Sequence, residues 1–205
     1  MLRFKCLKCG KCCKMSPISL LPHEKIILEN LSKRLGIEVS FSYDYYIHDA
    51  RHNYNIVLTY HLNLEDGKCP FLSSDSKCLL QNYYKPLVCR AFPYIPSKVE
   101  YVYDTRIKVL GCKTSYAIST ACTYISKLKD KLSTEIKSPY EIRKFMLEEF
   151  SAAAEMELKR RLVLSYISFL WKRGALNLTF SNSPGIPINA FSLIRKYFPY
   201  IHIKL

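Results

Sequence analysis

Four cysteines fall within eight positions near the start of the chain, Cys6, Cys9, Cys12 and Cys13, in the stretch "KCLKCGKCCK". No ordinary hydrophobic core asks for that spacing. Cys-x-x-Cys lets two sulfurs converge on one metal ion from a single turn, and here the step is made twice before Cys13 is added. Gly10 supplies the turn backbone that such a loop needs. Farther along, Cys69, Cys78, Cys89 and Cys112 add four more sulfurs, and Cys122 brings the total to nine. The odd total and the adjacent pair argue against a disulfide framework, and the opening "MLRFKCLKCG" lacks the apolar run of a secretory signal. The pattern predicts a metal-binding cysteine cluster in a soluble, cytoplasmic protein. Its expected ligands are Cys6, Cys9, Cys12, Cys13, Cys69, Cys78, Cys89 and Cys112.

Zinc accepts four thiolates tetrahedrally, and an iron–sulfur cluster such as [4Fe–4S] also takes four. Both cofactors stay open, with the iron–sulfur cluster favoured. Side chains of neighbouring residues diverge along an extended chain, so Cys12 and Cys13 are expected to face two different centres. Cys122 is expected to be a small buried hydrophobe and not a ligand. Ile118, Ala121, Cys122, Ile125, Leu128 and Leu132 fall at helical spacing, which places it on an apolar stripe.

The formal charge of +14 points towards an acidic partner such as RNA. Metal-bound cysteines are thiolates, however, and two four-thiolate sites each holding a divalent ion would lower the charge to about +10. Lys5, Lys8, Lys11, Lys14, Lys68, Lys77 and Arg90 lie beside cysteines in sequence, where cations favour the thiolate. The longest strongly apolar stretch, "LVLSYISFLW", has ten residues and is too short to span a bilayer.

The expected fold class is α+β. A small, irregular, cysteine-rich metal-binding domain with short strands occupies residues 1–115, and a mainly helical region, 116–205, packs on it. "LPHEKIILENLSKRLG" reads as a helix opened by Pro22 and closed by Gly36, with Ile27, Leu28, Leu31 and Leu35 as its apolar face. "NIVLTYHL" reads as a strand, with Ile56, Leu58, Tyr60 and Leu62 on one side. "KVEYVYDTRIKVL" has the composition of one or two more strands. From Pro139 to Arg173 no Gly or Pro intervenes, which predicts one long helix or two joined by a kink. "ALNLTF" reads as a strand and "INAFSLIRKYF" as a last short helix.

The set "FKCLKCGKCC", "CPFL", "CLL", "KPLVCRAFP" and a later "GC", over roughly residues 4–112, resembles the CxxCxxCC family, described as a "putative zinc- or iron-chelating domain". The resemblance implies that Cys6, Cys9, Cys12, Cys13, Cys69, Cys78 and Cys89 occupy the family's cysteine positions, with Cys112 as a less regular late one. Lys85-Pro86 stands where Arg-Pro is usual. The cysteine region is also distantly similar to that of the flagellin lysine N-methylase, which is associated with an iron–sulfur cluster. That likeness implies protein-modification chemistry, such as lysine methylation.

Other candidates are less specific. His48 and His52, at i and i+4, could share a helix face; His61 could replace one sulfur. The tyrosine clusters "YDYY" and "NYY" could stack on bases or pack in the core. No phosphate-binding loop, dinucleotide fingerprint or "GxSxG" is present, and no acid–base pair stands out. Two functions remain. One is an iron–sulfur protein in redox or modification chemistry. The other is a zinc-stapled basic module that docks on RNA, the ribosome or a protein complex.

Overall fold

The computed structural model describes residues 3–15, 17–136, 138–180 and 183–201. After a 3-10 turn at Lys11–Lys14, the order is β1 (Ile18–Leu20), α1 (Pro22–Leu35), β2 (Phe41–Asp49) and β3 (Tyr54–Leu62). A second 3-10 turn at Leu79–Asn82 leads to α2 (Leu87–Ala91), β4 (Tyr94–Asp104) and β5 (Val109–Ile118). Then come α3 (Thr123–Lys127), α4 (Lys129–Glu135), α5 (Pro139–Phe145), α6 (Leu147–Lys172), β6 (Leu178–Thr179), β7 (Ile186–Asn189) and α7 (Ala190–Tyr197). The fold is α+β.

β3 is the spine of the main sheet. β2 pairs antiparallel along one side of it and carries β6 on its outer edge. On the other side β1 pairs with the end of β3 at Tyr60–Leu62, and β7 runs parallel to its start at Tyr54–Val57. β4 and β5 form a separate antiparallel hairpin. It leans on the sheet through Tyr101, which stacks on Tyr45 at 3.9 Å and shares a 2.8 Å hydrogen bond with Thr59.

Two large cores follow. Ile47, Ile56 and Leu58 pack with Val163, Ile167, Leu170 and Trp171 of α6 and with Leu193 and Ile194 of α7. Val57, Tyr60 and Leu62 pack instead with Leu28 and Leu31 of α1, with Phe71, Leu72 and Leu80, and with Cys13 and Cys69. β3 thus does not keep Ile56, Leu58, Tyr60 and Leu62 on one side. The register shifts between Tyr43 and Tyr46 on its partner mark the place where the alternation changes sense.

α1 has the predicted ends. Pro22 sits in its first turn and Gly36 closes it with φ 65°. The Glu24 carboxylate reaches back to accept from the Leu21 amide at 2.9 Å. Its other oxygen accepts from the Leu87 amide at 2.7 Å and from the Tyr84 hydroxyl at 3.0 Å. Glu24 is fully buried, and burial raises its pKa while these hydrogen bonds hold it down. One side chain therefore ties the start of α1 to the start of α2. Farther along, α2 lies flush on α6 because the contact is made by Ala91, Ala152 and Ala153.

The stretch 139–173 forms two helices that meet at Met146, as the kinked alternative anticipated. The helix expected from Ile118 starts later. Ile118 ends β5, Cys122 caps α3, and Leu128 separates α3 from α4. Among the described residues no helix is long and apolar enough to cross a membrane.

Candidate metal centre

The first cysteine loop depends on Gly10. Its φ of 68° is left-handed, and a Cβ there would meet the Ser76 carbonyl oxygen at 2.8 Å and Leu72 Cδ1 at 3.1 Å. With that freedom the chain enters the 3-10 turn, in which the Cys13 amide donates to the Gly10 carbonyl at 3.0 Å. Cys13 then accepts, through its own carbonyl, from the Cys69 amide at 2.7 Å, which joins the first loop to the second. The second loop is closed by the Leu72 amide on the Cys69 carbonyl at 2.9 Å and by a bridge between Leu72 and Cys78. Cys89 comes from α2, whose position Glu24 and the three alanines set.

The adjacent pair does not diverge. In the tight 3-10 turn the sulfurs of Cys12 and Cys13 stand 4.0 Å apart, contrary to the expectation of two separate directions. Two sulfurs bound at ~2.3 Å to one tetrahedral ion would be ~3.8 Å apart, so this spacing suits a shared ion. A cavity of about 910 Å³ opens beside them, and eight cysteines line it: Cys6, Cys9, Cys12, Cys13, Cys69, Cys78, Cys89 and Cys122. A model of the CxxCxxCC family, described as a "putative zinc- or iron-chelating domain", matches residues 5–131. The chain belongs to the CxxCxxCC family. No curated protein and no solved structure matches it.

The CxxCxxCC thiols are electrostatically uneven. A hydrogen bond with Cys13 lowers the Cys12 thiol from 9.0 to about 7, against burial and with help from Lys85. Cys78 falls to about 6, chiefly through its own hydrogen bond with Cys13, and Lys85 again contributes. Cys13, placed between them, is pushed far up by those same hydrogen bonds and by burial. Burial also pushes Cys69 up to about 11 and Cys89 well above its usual range. Cys12 and Cys78 therefore ionise first, and thiolates are the form that binds metal. Lys8, Lys11 and Lys77 line the cavity as the sequence suggested. The cation acting on Cys12, Cys78 and Cys89 is Lys85, which is distant from all of them in sequence except Cys89.

Cys112 and Cys122 differ in their surroundings. Cys112, on β5, is directed at α6, where its thiol donates to Glu157 Oε1 at 3.3 Å. Burial and that carboxylate push it up to about 11. It is not among the cavity's lining residues. Cys122 is half-buried; it borders the small core around Ile125 and Phe145 and also lines the cavity. The family match runs past both. Strand alternation at Cys112 and the turn before α3 decide the two directions, and neither has a local sequence signal.

The three candidate histidines are each held by a carboxylate or an amide. His48 lies in β2 and shares a 2.9 Å hydrogen bond with Asn55, whereas His52 sits in the following turn, 2.5 Å from Asp49. They share no helix face. His61 lines the cavity and is paired with Asp44 at 2.9 Å. Among the described residues no three Cys, His, Asp or Glu side chains are drawn round one point closely enough to hold an ion as they lie. The donor set nonetheless fits a thiolate metal centre: eight cysteines border one cavity, one pair stands at ligand spacing, and Lys85 acts on three of them. Cys6 and Cys9, the exposed members, lie outside any helix or strand.

Proposed function

We propose that the protein is an iron–sulfur protein, holding a [4Fe–4S] cluster on thiolates drawn from Cys6, Cys9, Cys12, Cys13, Cys69, Cys78, Cys89 and Cys122; each iron of such a cluster takes a single cysteine, so Cys12 and Cys13 would not share one of its irons. Eight sulfurs suffice for two four-thiolate centres. The observation that carries this reading is the eight cysteines on one open cavity of about 910 Å³. A structural zinc site is closed by four ligands and leaves no such space. A cluster bordered by a cavity can act on what the cavity holds, which favours redox or modification chemistry. When bound, the cluster supplies electron transfer. The chain's own contribution is positional. Gly10 and the Cys13–Cys69 backbone hydrogen bond join the two loops, Glu24 seats the helix bearing Cys89, and Lys85 offsets thiolate charge.

The test is elemental analysis of anaerobically purified protein together with its visible spectrum. Iron with an equal amount of inorganic sulfide, and an absorption band bleached by dithionite, is the expected result. Zinc without sulfide would overturn the cluster and favour the stapled basic module.

A further inference from the structure

We infer that the cavity beside the thiols is a binding site for a small anionic molecule, anchored through a carboxylate or phosphate group by Arg160. This goes beyond the cluster reading and rests on it only in sharing the same cavity.

Size is the first argument. Small-molecule sites occupy roughly 300–1,000 Å³, whereas a tetrahedral ion needs only the space within ~2.3 Å of its sulfurs. At about 910 Å³ the cavity extends well past the cysteine wall, to residues of β3, β4 and α6.

The second argument is an unmet hydrogen bond. Among the described residues, three side chains hold a buried polar atom without a partner: His23, Arg160 and Thr179. Of these, Arg160 alone lines the cavity. Its side chain is 7% exposed, and one of its guanidinium nitrogens donates to Glu157 at 3.0 Å and to Thr114 at 3.3 Å. The Nε–H has no acceptor. A buried charged donor left empty is costly, and guanidinium groups suit carboxylate or phosphate oxygens. A bound anion would supply the missing acceptor.

Charge gives the third argument. Six cationic side chains line the cavity against two carboxylates; Asp75 takes Lys77 and Glu100 takes Lys98, but Glu157 beside Arg160 is shared with Arg161, so the Arg160 end keeps an excess of positive charge. Met156, one turn before Arg160 on α6, lines the cavity as well, and so does Tyr101. The ligand that fits is therefore a molecule with an apolar or aromatic body and one anionic group.

The test uses metal-loaded full-length protein and two fluorescent probes of similar shape. One is the anion 1-anilinonaphthalene-8-sulfonate, and the other is neutral N-phenyl-1-naphthylamine. Arg160→Gln should bind the anionic probe about tenfold to a hundredfold more weakly and the neutral probe unchanged. Arg173→Gln, an exposed arginine on the same helical segment, should change neither. Unaltered anion binding by Arg160→Gln, or an equal loss in Arg173→Gln, would overturn the proposal. The wild-type protein gives an arm that needs no variant. Phenyl phosphate or benzoate should displace the anionic probe at concentrations where benzyl alcohol does not; equal displacement by all three would also overturn it. Metal content measured on the same samples separates the two readings. Arg160-dependent anion binding in a protein that retains no iron would sustain this site while removing the cluster.

Discussion

The two large cores of the molecule are held together in different ways. Around α6 the core consists of aliphatic and aromatic side chains between regular elements, with Ile56, Ile167 and Ile194 fully buried. Around the cysteines, the described residues 3–15 and 63–86 contain no strand or α-helix, only two 3-10 turns and isolated bridges. Their core is partly sulfur, with Cys13 and Cys69 packed beside Phe71 and Leu72. Regular elements satisfy their backbone groups locally, and burial then stabilises them. Irregular loops lack that economy and need cross-links from distant parts of the chain, which metal-bound thiolates provide. The comparison predicts one half that stands by itself and one that depends on its metal.

The largest effect should come from removing the metal. Structural metal sites contribute on the order of 10 kcal/mol to small domains, so chelation should unfold the cysteine loops while α6 stays helical. Hydrogen exchange would show amides of residues 63–86 losing protection and those of α6 keeping it. Equal protection with and without metal would erase the difference between the halves.

Truncating Ile167 to Ala attacks the other core. It should cost about 2–5 kcal/mol in denaturant unfolding. Metal content per folded molecule should not change. Loss of metal from this variant would show that the cores are one cooperative unit.

The seam between the halves carries a pH signature. His23 of α1 is 1% exposed, packs edge-on against Phe191 of α7, and has no partner for either ring nitrogen. Burial, and then the charge of Lys159, lower its pKa from 6.5 to about 4, with Glu155 acting the other way. The unfolded chain therefore binds a proton between those values that the folded one refuses. Stability is complete above pH 6.5 and falls as the pH drops towards 4, by about 3 kcal/mol. In His23→Leu the slope over that interval should flatten. An unchanged slope would mean that His23 takes up its proton in the folded state.

The smallest stability effects sharpen the assignment of ligands. Cys112→Ala should cost about 1 kcal/mol through its lost packing and leave metal stoichiometry intact. Cys122→Ala should lower the stoichiometry. The reverse pattern would restore Cys112 to the site and make Cys122 a packing residue.

These outcomes bear on how far the sequence could be read. α1 was legible because its signals are local: a proline at the start, a glycine at the end and an apolar stripe between them. The strand content of β4 and β5 was legible too, though not their pairing, and the break within 139–173 was one of the two alternatives the sequence left open. β7 was not anticipated, since "IPIN" is four residues long, contains a proline, and exists by pairing with the start of β3. Ile118 and Ile125 stand at helical spacing although one ends a strand and the other lies in a helix. That coincidence hid the turn at Cys122. Cysteine spacing pointed to metal chelation and to seven of the eight cysteines on the cavity. It gave no means of telling Cys112 from Cys122, because side-chain direction there depends on what packs behind each strand.

The anchoring of the first cysteine loop bears on the order in which the protein can be assembled. The Phe4 amide donates to the Phe145 carbonyl at 2.7 Å, and its ring packs edge-on against Tyr124 and Phe145. The Tyr124 hydroxyl also donates to the Arg3 carbonyl at 3.0 Å. Cys6 and Cys9, made well before α5, thus have no seat until α5 has left the ribosome. At ~5–20 residues per second that interval is roughly seven to thirty seconds. Throughout it the nascent chain carries exposed thiols. Completion of the centre is a late event in the life of the growing polypeptide, and metal delivery has to be timed to it.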